Sequence, residues 1–215
     1  MVKSIKLILH VADIFNVDVV KPPVDINDDS GEKLYSFIGK KESIRNLVID
    51  MIINSSNLAT NLLIDYVGAS NVQQKMKKLG AFDIQVLRGV EDIKAYRAGK
   101  SNTTTAKDLT IILQAILEGK AGNSASTEEM INILLDQNFN MKIPAKLPQN
   151  VKVAHKTGSI TAISHDTGII YPENYKPYVL TVLTKGFNQQ ETAHNCIAEI
   201  SKIIYDWYVK LTQER

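Results

Sequence analysis

The sequence predicts an α+β fold in which a helical lobe precedes an antiparallel sheet covered by a C-terminal helix. Three observations predict it. Apolar residues recur at three- and four-residue spacing over the first two thirds of the chain. The period switches to two after a Pro-containing stretch at 143–150, and helical spacing returns near Ala193 and runs to Tyr208. A chain of 215 residues is long enough to bury a core. With 44% hydrophobic and 22% charged residues and a formal net charge of +2, neither disorder nor a nucleic-acid-coating protein is indicated.

The elements follow in order. Residues 1–15 read as an amphipathic or buried helix; a signal peptide would need a longer apolar core than one interrupted by His10 and Asp13. No apolar run approaches the ~18 residues of a spanning helix, so a soluble chain is expected. Leu47, Val48, Met51 and Ile52 form one helical stripe, and Leu58, Leu62, Leu63 and Tyr66 form another, stopped by Gly68. Ser70 with Gln73 reads as a capping box for a short helix ending at Gly80, and Thr105 with Asp108 as a better one. The latter opens a helix carrying Leu109, Ile112, Leu113, Ile116 and Leu117, closed by Gly119. Between Gly80 and Thr103 a long loop with at most a helical turn is expected. Ser126 and Glu129 open a further helix with Met130, Ile133 and Leu134.

Val151, Val153 and His155 then alternate with Lys152, Ala154 and Lys156 as a first strand, and segments 167–171 and 178–183 supply two more. The last helix carries Ala193, Ile197, Ile200, Ile204, Trp207 and Tyr208, a face broad enough to cover a sheet. The single cysteine, Cys196, excludes an intrachain disulfide and is expected to be a small buried apolar side chain.

Three polar clusters carry chemistry. Lys156-Thr157-Gly158-Ser159, placed at the end of the first strand, sets a cation, a hydroxyl and bare backbone on one edge, where an anion or carbonyl can bind; taken alone, an ordinary strand-to-turn transition ending in glycine is the favoured explanation. Ser55-Ser56-Asn57 lies between two helices, as a cap or as a hydroxyl and an amide aimed into a cleft. The polar loop 88–106 is a solvated connection or the bearer of a general base, with Glu91 the candidate and Asp92 the alternative. His10, His155, His165 and His194 form no close pair, so no metal site is expected. Neither a phosphate loop nor a base-stacking platform is present, so no cofactor and no nucleic-acid partner are expected.

Together these clusters resemble the class A β-lactamases and penicillin-binding-protein-like serine hydrolases, whose motifs are Ser-x-x-Lys, Ser-Asp-Asn and Lys-Thr-Gly. Residues 55–65 look like the Ser-Asp-Asn junction and its helix, with Ser56 in place of the aspartate. Residues 102–106 are similar to the exit of the omega-type loop, and 155–159 to the Lys-Thr-Gly strand. Residues 165–172 and 177–186 look like the two strands after it. The likeness covers nearly the whole chain.

The resemblance implies one β-lactamase-like domain, with its helical lobe at about 20–145 and the sheet and terminal helices at 1–19 and 146–215. It implies an acyl-enzyme reaction on a β-lactam or acyl-peptide substrate. By that likeness Lys6 is the motif lysine and a base. Ser55 relays a proton to the leaving nitrogen, and Asn57 holds the substrate's amide side chain. Lys156 and Thr157 grip its carboxylate beside Gly158, the Ser159 N–H supplies half of an oxyanion hole, and Glu91 positions the deacylating water. The nucleophile departs from the pattern. Three residues before Lys6 stands Lys3, and Ser4 would lie ~200° around the helix from its expected face. If Lys3 is the motif lysine instead, its serine precedes Met1. The family also sets a helix and two strands ahead of the nucleophile helix, so three of five strands and an N-terminally truncated, impaired or non-catalytic enzyme are expected. The edge from Tyr178 to Lys185 would then pair in a homodimer, swap or stay wet. Family members usually act outside the cytoplasmic membrane; the location of this chain stays open.

Overall fold

The computed structural model describes residues 16–18, 34 and 38–214. The expected helix over 1–15, and with it Lys3, Ser4 and Lys6, lies outside the described residues. Strands β1 (Asn16–Asp18) and β2 (Lys41–Ser43) pair antiparallel. The helices α1 (Ile44–Ile53), α2 (Asn57–Val67), α3 (Ala69–Lys78), α4 (Ile93–Arg97), α5 (Ala106–Leu117) and α6 (Ser124–Leu135) follow. A 3-10 turn at Ile143–Lys146 leads into strands β3 (Lys152–Ile160), β4 (Ile163–Tyr171) and β5 (Tyr178–Lys185), and α7 (Gln190–Gln213) closes the chain. The α+β class expected from the sequence is the class observed.

Caps set the helix starts. The Ser43 and Ser56 hydroxyls accept from Asn46 N and Ala59 N and open α1 and α2, and Thr105 accepts from Asp108 N to open α5. Two expected caps do not form. Ser70 lies inside α3, whose N-cap is Gly68; Gln73 instead reaches across to Ile84 O and Val86 N at 2.5 and 3.2 Å. The cap of α6 is Asn123, which accepts from Ser126 N, so that helix starts earlier than the Ser126–Glu129 pair suggested. Asp and Asn compete with Ser for caps through the same short oxygen reach, and a single sequence does not rank them.

The sheet order is β3-β4-β5, antiparallel throughout. Both of its faces are covered. Ala154 and Ile169 join the core of the helical lobe, while Val153, Ile170 and Val182 pack with Ile143 and Ile197 of α7 on the other side. That two-sided burial explains why Val153 through Thr157 are all buried where simple alternation leads one to expect an exposed face. Lys156 therefore faces the helical lobe, with His155 on the opposite face.

Two apolar positions depart from their expected faces: Tyr66 of α2 and Trp207 of α7 are 50% and 61% exposed. α7 is 24 residues and about 36 Å long; Ile200 and Tyr205 pack on the sheet-side core while Ile203 and Trp207 stay in solvent. Cys196 on the same helix is half-buried rather than buried. The loop expected between Gly80 and Thr103 is present, with α4 as its one helical turn and a bridge between Gln85 and Thr103 closing its neck. Among the described residues β5 pairs only with β4.

Candidate active site

Ser55 sits in the turn between α1 and α2. Asn54 N and Ser56 N both donate to Asp50 O, which folds the chain back tightly and puts Ser55 at φ 58. For a residue with a Cβ this left-handed backbone costs about 1–2 kcal/mol. The turn delivers the hydroxyl to the sheet, where Lys156 Nζ donates to Ser55 Oγ and, at 3.0 Å, to Thr157 O. Ser55 and Lys156, 101 residues apart in the chain, are thus in hydrogen-bond contact. Lys156 is 1% exposed. Burial takes its amine down to about 7; the Asp166 carboxylate acts in the other direction and Lys142 adds to the lowering.

Lys-Thr-Gly does not end the strand. β3 continues through Gly158 and Ser159 to Ile160, paired with β4 residue by residue, so the triplet is part of a rigid edge strand rather than a turn.

A polar network behind this strand was not legible in the sequence. Lys142 Nζ donates to Gly158 O at 3.1 Å, Ser159 Oγ at 2.9 Å and His165 O at 3.1 Å. Burial takes its amine down to about 8, opposed by Asp166. Asp166 accepts from His155 Nδ1 at 3.0 Å and from Ile143 N at 3.0 Å, while His155 Nε2 lies 3.1 Å from Asn140 Oδ1. His155 and Asp166 are fully buried and tie the 3-10 turn, and with it Lys142, to β3 and β4. A lysine ahead of Ile143-Pro144 carries no pattern of its own; the signal lies only in the tertiary contact.

The loop brings Glu91 to Asn57, two residues after Ser55. Asn57 Nδ2 donates to Glu91 Oε1 at 3.3 Å. Asn61 clamps the segment before it, accepting from Val90 N at 2.5 Å and donating to Val90 O at 3.2 Å. A Cβ on Gly89 would lie 2.8 Å from Asn61 Oδ1, so the clamp closes only over glycine. At the neck, Asn102 accepts from Leu87 N and Arg88 N and donates to Arg88 O, and the Arg88 guanidinium lies over the Tyr96 ring at 5.3 Å. The Asp92 carboxylate is engaged as the cap of α4, accepting from Ala95 N at 2.9 Å, whereas Glu91 faces Asn57. Of the residues singled out in the sequence, Ser55 meets Lys156, which also donates to Thr157 O, and Asn57 meets Glu91; Gly158 and Ser159 follow along the strand.

An antiparallel sheet under a helical lobe, with a serine–lysine contact between them and a loop carboxylate beside an asparagine, defines the class A β-lactamase and penicillin-binding-protein-like class. The sequence profile described as the beta-lactamase enzyme family matches residues 17–208, and the chain belongs to that family. It is similar to beta-lactamase BRO-1 of Moraxella catarrhalis, 27% identical over 183 residues that cover 80% of this chain and 58% of that protein. It is also similar to beta-lactamase ROB-1 of Haemophilus influenzae, 28% identical over 171 residues that cover 76% and 55% of the two chains. The chain therefore spans less than two thirds of the length of these curated relatives. Among solved structures, TLA-3 extended-spectrum beta-lactamase superposes with TM-score 0.86 at 23% identity, over 97% of this chain and 82% of that one. A PBP-A mutant in acyl-enzyme complex with penicillin G superposes with TM-score 0.82 at 22% identity, over 97% and 80%. Among the described residues no helix is long and apolar enough to cross a membrane.

Proposed function

We propose that this chain binds β-lactams or related acyl peptides and transfers their acyl group to a serine hydroxyl. The observation that carries the reading is the Ser55–Lys156 contact, which joins the helix junction to the edge strand. A hydroxyl hydrogen-bonded to a buried amine that titrates near neutrality is a pair suited to moving a proton at pH 7. Lys156 and Thr157, with Lys142 behind Ser159, favour a substrate carboxylate at the β3 edge. Asn57 offers an amide to the substrate's own amide, and Glu91 beside it orients a water for release of the acyl group. Ser159 N–H is the oxyanion donor in this reading, and Lys6 keeps its role as the motif base. In the register that takes Lys6 as the motif lysine, Lys3 occupies the nucleophile position and has no hydroxyl to acylate, so turnover through the motif is impaired.

Incubation with a chromogenic β-lactam tests the reading. The expected result is saturable binding, with Asn57→Ala weakening it about tenfold, the order of one lost substrate hydrogen bond. Absence of both binding and any covalent adduct would overturn it. The open β5 edge, with its row of unpaired backbone groups among the described residues, makes homodimerisation through residues 178–185 part of the proposal. Sedimentation should show a dimer that Val182→Pro or Leu180→Pro dissociates; a monomer at every concentration sinks that part alone.

A further inference from the structure

We propose that His155 is an imidazolium, with a proton on each ring nitrogen, and that it is a positioning residue for Lys156. The inference deepens the reading above by naming what holds the Ser55–Lys156 pair in place.

Each ring nitrogen of His155 meets an acceptor. Nδ1 lies 3.0 and 3.1 Å from the two carboxylate oxygens of Asp166, and Nε2 lies 3.1 Å from Asn140 Oδ1. A neutral imidazole has one N–H and one lone pair, so it satisfies one of these contacts and sets lone pairs against each other at the other. Turning the Asn140 amide over does not resolve this. Its Nδ2 donates to Gln137 O at 2.9 Å, and in the turned amide Oδ1 would face that carbonyl instead. Gln137 is itself held, since its side chain donates to Ile52 O at 2.8 Å and accepts from Phe139 N at 3.1 Å. A second proton on the ring satisfies every partner at once.

That proton belongs to the ring. Asp166 is an acceptor on its other side too, from Ile143 N at 3.0 Å, and its charge raises the Lys142 amine against the effect of burial. His194 on α7 and Lys156 on the lobe face are the other titratable groups that feel this carboxylate. His155 and Asp166 are both 0% exposed, so neither trades its partner for water. The sheet makes room for the ring: Gly168 stands opposite His155 on β4, where a Cβ would come within 2.8 Å of His155 Cβ.

The residues that the imidazolium grips lead to the serine. Gln137 is bonded to Ile52 O near the end of α1, and Asn138 Nδ2 donates to Asn54 Oδ1 at 2.8 Å. Asn54 is fixed in turn by donating through its own Nδ2 to Asp50 Oδ1 at 2.9 Å. Asn54 immediately precedes Ser55, and His155 immediately precedes Lys156. Segment 137–140 thus spans from the residue before the serine to the residue before the lysine, and the His155–Asn140 bond closes the span. Without that acceptor a buried N–H is stranded, the seam between the segment and β3 loosens, and water reaches the Lys156 amine.

Two measurements on the full chain test this, both without any β-lactam, so a chain that fails to bind β-lactams still answers them. With 15N-labelled histidine, both ring nitrogens of His155, assigned by their ring's through-space contact with Gly168, should carry protons at pH 7 and show the nitrogen shifts of an imidazolium. A bare nitrogen at either ring position overturns the charge assignment. With 13C-labelled lysine, Asn140→Ala should move the Lys156 titration up by at least about one pH unit, toward that of a solvated amine. Asn140→Asp, which restores an acceptor, should stay within about half a pH unit of the unmodified chain. An unmoved titration in Asn140→Ala with native circular dichroism overturns the positioning role, and so does an equal rise in both variants.

Discussion

Lys156→Met is expected to stabilise the protein while abolishing acyl transfer. The Lys156 amine titrates at about 7 in the fold against an ordinary 10.5, so holding it neutral in the interior costs a few kcal/mol at pH 7. The sign follows from which state takes up the proton first. Above pH 10.5 both folded and unfolded chains carry the neutral amine and the difference vanishes. As pH falls from there toward 7 the unfolded chain is protonated and the native state is not, so stability is lost across that window; below 7 the deficit is constant. Asp166 and Lys142, from the sheet and the 3-10 turn, are the charged groups acting on the amine, and Ser55 faces it from the lobe. Methionine fills the same volume without the penalty. Thermal melts should therefore give the variant a melting temperature higher by at least about 3 °C at pH 7, with the gap shrinking toward pH 10. Equal melting temperatures at pH 7 would refute this account of the site, and retained acylation would refute a proton-moving role for the Ser55–Lys156 pair.

Asp166→Ala is expected to have the largest destabilising effect of any single substitution near the site. Its carboxylate is the acceptor for His155 Nδ1 and for Ile143 N, all fully buried. Removing it strands both donors in the interior and opens a small void, which together amount to about 3–5 kcal/mol and roughly 10 °C in melting temperature. The loss has an electrostatic consequence as well. Asp166 raises the pKa of both Lys142 and Lys156, so without it both amines fall further. Asp166→Asn, which keeps the shape, should thus retain most of the fold and shift the alkaline rise of acylation to lower pH. An unchanged pH profile in Asp166→Asn would show that the two lysines do not sense this carboxylate.

The sequence made the order of elements readable because the hydrophobic period changes with element type, and the change at 143–150 is sharp. It also made the serine–asparagine junction readable, because it lies between two helices, and the strand leading into Lys-Thr-Gly, because its apolar residues alternate; that the strand runs on past the triplet was not legible. Two kinds of feature were not legible. Which of several short polar residues caps a helix depends on backbone angles, hence Asn123 in place of Ser126 and the free run of Gln73 to the loop. Residues buried for polar reasons, His155, Asp166 and Lys142, look in sequence like ordinary strand and loop positions, since only the fold removes their water. Choosing between Glu91 and Asp92 required the same information: a helix of one turn claims one carboxylate and leaves the other facing Asn57.

The left-handed backbone at Ser55 also sets what would happen to this gene without its task. Glycine or asparagine would suit that turn better than serine on folding grounds alone. A population of variants filtered only for solubility would shed the hydroxyl early, which makes this position a sensitive marker of disuse.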